Sequence, residues 1–394
     1  MKILILCTYP IDVPRHGGQI RVSNLADYYQ KAGFQVEVVG VSGSESYPES
    51  KGFDDFPGAS VLASVMENSF LMEDVAIGQL YEANDKYFSS LANRIKQIPD
   101  IIHVEQPWLF AFAKRFIKEK AAQQVKLIYG SQNIEYKLKE SILNSYFNSS
   151  EVAQRVEQVK RIEMQAVKSA DGIICVSEND LQWSAKQTGT ELLLVPNGVN
   201  QWEATDQGIV EANKITRLRK FAFFCASAHP PNMHGFFDMF EQGFGSLSSH
   251  EVLVVAGGAG KAISNDPRIK QSARLADSVI PAGMVSSSCL SGLLDTAHCI
   301  VLPITQGGGT NLKTAEAIWA GHHIVATSIA MRGFEQFIDK PGIYIADSAT
   351  EFKQKLRQAM QMPPLKIEAA ERERRKVVLW EQCLKPLKAF ITKL

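Results

Sequence analysis

The sequence predicts a parallel α/β protein of two similar domains. Short apolar runs bounded by turn residues alternate with longer amphipathic stretches along nearly the whole chain. Most of these runs are continuously apolar, as strands covered by helices on both faces are. The alternation also comes as two series with a polar, turn-rich stretch between them. A chain of 394 residues suits two cores better than one, at roughly 150 residues per domain.

In the first series the strand candidates are residues 2–7, 35–41, 101–104, 126–130, 172–176 and 192–195. In the second they are 221–226, 252–256, 278–281, 299–303, 323–327 and 342–346, with helical patterns at 235–240, 289–296, 310–320 and 349–360. The change of series falls in 197–210, which gives a first domain of 1–198 and a second of 199–371. Beyond Pro363-Pro364 a charged helix, 367–380, leads into a helical segment interrupted at Pro386. The tail 372–394 is expected to cross back onto the first domain. Residues 135–169 read as a helical insertion in the first series, and Ser177 as the cap of the helix that follows strand 172–176.

Composition excludes several classes. Apolar residues make up 45% and charged residues 21%, within globular norms. Lys plus Arg equals Asp plus Glu at 42 each, so no overall field gathers nucleic acid, and any anion site must be built locally. The first apolar run, 3–7, is far shorter than the roughly 20 residues that span a bilayer. Six cysteines show no CxxC pair and no zinc spacing, so they read as reduced core thiols. The expected place is the cytoplasm, at most against the inner face of the membrane, and the sequon at Asn148 is discounted. The basic stretch 114–126, with Phe110, Phe112 and Phe116 beside it, reads as an ordinary surface helix, with weak peripheral contact to an anionic membrane as the alternative.

The segment that carries chemistry is 304–321. After an apolar run come Gly307-Gly308-Gly309-Thr310-Asn311, a helical pattern, and a glycine stop at Gly321. Three glycines let backbone amides approach a ligand, and the helix that follows aims its unsatisfied N–H groups and positive dipole end at the same spot. A phosphate fits there. Glu316, about two turns further in, is too far to cap the helix but offers two acceptor oxygens to a pair of hydroxyls, such as those of a ribose. A plain glycine-rich turn with Glu316 on a solvated face is the alternative.

The segment resembles the donor site of glycosyltransferase family 4, a retaining family of GT-B architecture, in which two Rossmann-like domains face each other across a central cleft. The resemblance rests on Thr310 and on Glu316-Ala317-Ile318-Trp319-Ala320-Gly321. It implies donor diphosphate contacts from Gly308, Gly309, Thr310, Asn311 and Lys313, and ribose contact from Glu316. Two departures stand out. Gly308 occupies the place of a glutamate that in many members contacts the donor sugar, and Asn311 stands where a subgroup has arginine, which leaves Lys313 as the nearby cation.

Other stretches support the resemblance. Pro281-Ala282-Gly283-Met284-Val285 resembles the stretch whose backbone reads the nucleotide base, which implies that role for Gly283, Met284 and Val285. Gly17-Gly18 follows the first strand, with Arg15, His16 and Arg21 beside it, at a sheet edge where α/β folds bind ligands. His103 and Glu105 share one side of a strand end by the period of two, placed to line a cleft, with a satisfied core histidine as the more common role for His103 taken alone. Gln132 replaces a family histidine near the donor sugar and is expected to donate a hydrogen bond through its amide. His229 and Asn232, in a turn after strand 221–226, are placed near the phosphates, with a rigid proline turn as the alternative. Gly17, Gly18, Arg21, His103, Glu105, Gln132, His229 and Asn232 are thus cleft candidates. Pro196-Asn197-Gly198-Val199 resembles the family hinge.

The implied function is a retaining, hexosyl-type transfer from a nucleoside diphosphate sugar to a hydroxyl of a glycan or lipid-linked acceptor, in bacterial glycan or cell-envelope polysaccharide assembly. No metal, no further cofactor and no protein general base are expected. A sugar-nucleotide epimerase of the same architecture, or a silent nucleotide-sugar-binding subunit, are the rivals. The absence of GxGxxG after the first strand disfavours a dinucleotide oxidoreductase.

Overall fold

The computed structural model of the chain describes residues 1–240, 243, 246–271 and 273–394. It divides into two compact units, Met1–Pro196 with Leu384–Leu394, and Asn197–Cys383.

The first unit holds a seven-stranded parallel sheet of β1 (Lys2–Cys7), β2 (Gln35–Val41), β3 (Phe53–Asp54), β4 (Ile101–Glu105), β5 (Lys126–Ser131), β6 (Gly172–Cys175) and β7 (Glu191–Leu194), in the order β3-β2-β1-β4-β5-β6-β7. The second holds a six-stranded parallel sheet of β8 (Lys220–Cys225), β9 (Glu251–Ala256), β10 (Val279–Gly283), β11 (Cys299–Leu302), β12 (His323–Ala326) and β13 (Ile343–Ile345), in the order β10-β9-β8-β11-β12-β13.

Strands of the second sheet bury both faces. Phe221 and Phe223 pack with Val252 and Val254 on one side, while Ala222 and Phe224 pack with Leu253 and Val255 on the other. That arrangement is why these runs carry no polar alternation. Strand order reverses between β1 and β4 in one unit and between β8 and β11 in the other. At such reversals the crossovers leave on opposite faces, and a crevice opens beyond the carboxyl ends of the strands.

Three readings of the sequence change. The two-residue edge strand β3 was not foreseen, being too short to show a period. Residues 135–169 form two helices, Glu135–Leu143 and Ser149–Ser169, because Asn148 starts the second with a capping box: its side chain accepts from Ser150 N and Glu151 N at 3.1 Å each, and Glu151 accepts from Asn148 N at 3.3 Å. The crossing back of the tail begins at Leu384 rather than at 372. Arg375 donates to Ile318 O at 2.6 Å, Arg372 donates to Trp319 O, and Trp380 N donates to Val199 O at 3.0 Å, all within the second unit. The segment Leu384–Leu394 joins the first unit, where Tyr28 donates to Lys385 O at 3.1 Å and Lys393 pairs with Glu191 at 2.8 Å.

Candidate functional site

In the second unit the glycine loop leaves β11 at the strand reversal. Gly307 and Gly309 take φ of 129° and 57°, in the region open to glycine at little cost. The helix starts at Leu312, two residues later than expected, because Asn311 is its N-cap and accepts from Lys313 N at 3.2 Å. Asn311 is therefore committed to the helix. Thr310 is buried: its hydroxyl accepts from Asn197 N at 3.1 Å and its carbonyl from Asn197 Nδ2 at 3.2 Å, so the expected hinge residue Asn197 props the loop within this unit. The N–H groups of Gly308, Gly309 and Thr310 meet no acceptor among the described residues.

With the helix beginning at Leu312, Glu316 lies about one turn in, near 6 Å of rise, rather than two turns. Burial raises its carboxyl to about 7, against the pull of Lys313, and burial lowers the Lys313 ammonium. The Cys225 thiol, at the end of β8, is pushed up to about 12 by burial and by the charge of Glu316. Glu316, Lys313 and Cys225 thus gather where β8 and β11 diverge.

Arg332 and Gly333 were missed. After β12, Arg332 donates from Nε to Gly309 O at 2.7 Å and from Nη1 to Gly307 O at 2.8 Å. Thr314 donates to Ala330 O at 2.6 Å, and Thr327 donates to Ile304 O. Gly333 has a φ of 81°, and a Cβ there would overlap the Thr310 methyl. An Arg-Gly pair after an apolar strand was the only trace of this in the sequence.

Of the other candidates, Asn232 is buried and donates to Ser227 O at 3.0 Å and Ser227 Oγ at 3.2 Å, which locks the proline turn rather than leaving the amide open; His229 is exposed beside it. The helix Pro230–Phe240 lies against the start of the glycine loop, since a Cβ on Gly235 would overlap Pro303 O and Thr305 donates to Asp238 at 2.8 Å. Gly283, at the end of β10 with φ of 66°, accepts from Gly257 N at 2.7 Å; Met284 is 77% exposed and Val285 half-buried. Gly257 belongs to a second glycine turn, Gly257-Gly258-Ala259-Gly260, that sequence reading also missed.

In the first unit Arg21, His103 and Glu105 are at most 1% exposed, so they form a buried network instead of lining a cleft. Glu105 lies 3.5 Å from Arg21 Nε and 3.1 Å from His103 Nε2, and His103 Nδ1 meets Tyr29 Oη at 3.0 Å. Burial alone would raise the Glu105 carboxyl, but the Arg21 charge, the His103 ring at 3.1 Å and the hydrogen bond from Gln132 hold it at about 2. Gln132 donates to Glu105 at 2.6 Å and to Tyr9 at 2.7 Å, which uses both amide protons; the expected donor presents an acceptor oxygen. Gly17 starts the helix Gly17–Lys31, and a Cβ on Gly18 would sit 2.9 Å from Tyr9 Oη and 3.3 Å from Gln132 Oε1. The sequence brought His103 and Glu105 together but gave no sign of Tyr9 or Tyr29.

The helix Phe110–Glu119 is a surface helix whose Phe110, Phe112 and Phe116 lie in the core, while Arg115 pairs with Asp85 and Glu119. Its apolar face is not available to a membrane. No helix among the described residues is long and apolar enough to cross one, and no group of three or more His, Cys, Asp or Glu among them is placed to hold a metal ion.

Residues 15–202 match the family model described as Glycosyltransferase Family 4, and residues 219–362 match that described as Glycosyl transferases group 1. No match was found among the curated proteins. Among solved structures, sucrose-phosphate synthase from Thermosynechococcus elongatus superposes with a TM-score of 0.69 at 15% identity, over 100% of this chain and 98% of that one. Anabaena HepE in complex with UDP and glucose gives 0.62 at 12%, and WaaG, a glycosyltransferase involved in lipopolysaccharide biosynthesis, gives 0.61 at 16%, each over 100% of both chains. Two parallel α/β units of the GT-B class, matched in order by the family 4 and group 1 models, make the chain a glycosyltransferase.

Proposed function

We propose that the chain transfers a sugar, with retention of anomeric configuration, from a nucleoside diphosphate sugar to a hydroxyl of a glycan or lipid-linked acceptor. The observation that carries this reading is the glycine loop. Three N–H groups that meet no acceptor among the described residues precede a helix N-terminus, and Glu316 stands about one turn in. Such a loop suits a diphosphate, and a carboxylate at that distance suits the ribose hydroxyls. The complex of HepE with UDP and glucose supports a nucleotide-sugar donor, and the likeness to WaaG supports a place in bacterial cell-envelope polysaccharide assembly.

In this scheme the bond between the anomeric carbon and the diphosphate oxygen breaks, with charge building on the diphosphate. The N–H groups of Gly308, Gly309 and Thr310 stabilise that charge, and Lys313 adds a cation one residue into the helix. The acceptor oxygen bonds to the same face of the anomeric carbon, and its proton passes to the departing diphosphate oxygen. No protein base and no metal take part, and the reaction belongs in the cytoplasm.

A thermal-shift panel of nucleotide sugars identifies the donor, because a ligand of the folded state raises the unfolding midpoint. Sugar release is then followed with and without acceptor glycans. Acceptor-dependent release with retention is the expected result. Turnover of donor without any acceptor, or binding without turnover, would contradict the reading and point to an epimerase or a silent binding subunit.

A further inference from the structure

The glycine loop poses a physical problem. Three consecutive glycines lose more backbone entropy on ordering than any other residues, so the loop needs an external constraint to hold its N–H groups in one direction. Asn311 caps the helix end and Asn197 holds Thr310. Arg332 grips the glycines themselves, with its two donors on the carbonyls of Gly307 and Gly309.

Those two carbonyls fix more than their own positions. Every peptide in the described chain is trans, so each C=O points opposite to the N–H of the following residue. With the oxygens of Gly307 and Gly309 turned toward the guanidinium, the N–H groups of Gly308 and Thr310 are turned to the other side of the loop. Neither meets a protein acceptor among the described residues. Two amides aimed the same way beside a helix N-terminus form a concavity that suits an anion. The planar fork of arginine satisfies two carbonyls at once, whereas an ammonium is a single point charge.

We infer that Arg332 is a positioning residue for donor binding: it aims the Gly308 and Thr310 amides at the diphosphate and places a fixed positive charge behind the loop. This rests on the reading of the loop as a diphosphate site. It also explains how the loop manages with Asn311, whose side chain caps the helix, at a place where the related subgroup has arginine.

The test separates phosphate from nucleoside recognition. Calorimetric affinities are measured for a nucleoside, its monophosphate and its diphosphate, in the uridine, guanosine and adenosine series. The proteins are wild type, Arg332→Ala and Arg332→Lys, each checked for intact fold by circular dichroism. The expected result for Arg332→Ala is a loss of about tenfold or more in diphosphate affinity, with nucleoside affinity within about twofold of wild type because the ribose contact at Glu316 remains. Arg332→Lys should fall between the two. Equal losses for nucleoside and diphosphate, or an unchanged diphosphate affinity, would overturn the inference. Failure of the wild type itself to bind any of the diphosphates would instead remove the donor-site reading beneath it.

Discussion

Gln132 Nε2 lies 2.6 Å from Glu105 Oε2, the carboxylate oxygen that also faces Arg21 Nε at 3.5 Å. The carboxylate can only accept, so it fixes which end of the Gln132 amide turns inward, and the Tyr9 contact at 2.7 Å takes the other proton. Oε1 is left beside Gly18. A side chain that the sequence suggested as a donor therefore offers an acceptor, and its orientation is set by a charge pair behind it.

That charge pair has a measurable weight. Glu105→Gln leaves the Arg21 guanidinium buried beside a neutral amide, with an expected cost of about 3–5 kcal/mol in denaturant unfolding at pH 7. In wild type the Glu105 carboxyl is held at about 2, below its ordinary value of 4.5, against the effect of burial. The stability this supplies is present above about pH 4.5 and is lost as pH falls toward 2. The gap between wild type and variant should narrow below pH 4.5; an equal gap at pH 3 and pH 7 would contradict the assignment.

Glu135 and Glu163 shift the other way. Glu163 accepts from the backbone N–H of Glu135 at 2.8 Å and of Tyr136 at 3.1 Å, at the start of the helix Glu135–Leu143. Burial raises Glu135 to about 7, and burial together with the charge of Glu135 raises Glu163 to about 8. Protons are held in the folded state that the unfolded chain releases near 4.5, so this contribution is full below about pH 4.5 and is lost as pH rises through 7 to 8. Glu135→Gln keeps the oxygen that accepts from Asn133 and Gln106 and removes the like charge. It should raise the unfolding midpoint at pH 8 and flatten its decline from pH 5. A slope identical to wild type would count against the pair.

Gly333 and Thr310 should be coupled. Gly333→Ala places a Cβ at φ of 81° against the Thr310 methyl, with an expected loss of about 1–3 kcal/mol and weaker nucleotide binding. Thr310→Ser removes that methyl and keeps the hydroxyl that accepts from Asn197. The double variant should recover part of the loss in unfolding free energy, whereas strict additivity would show that the two do not press on each other.

The strands were legible because burial on both faces leaves unbroken apolar runs such as Phe221–Phe224, and β3 was not because two residues carry no period. The glycine loop and Glu316 were legible because their spacing is local. Helix start and cap also lay in the sequence, yet the glycines drew the boundary too early, past the capping signal of Asn311. Arg332 was not legible: it meets the loop only because β12 pairs with β11, a relation set by sheet order rather than by spacing along the chain. His103 and Glu105 showed their common side through strand alternation, but their burial against Arg21 follows from β1 pairing with β4.

The donor site itself is tested most directly by calorimetric titration of nucleoside diphosphates into wild type and Glu316→Ala at pH 8, where a carboxyl raised to about 7 is ionised. Wild type should bind, and the variant should lose about a hundredfold or more, since two hydrogen bonds to a charged acceptor vanish together. Unchanged affinity in a folded Glu316→Ala protein would contradict the account.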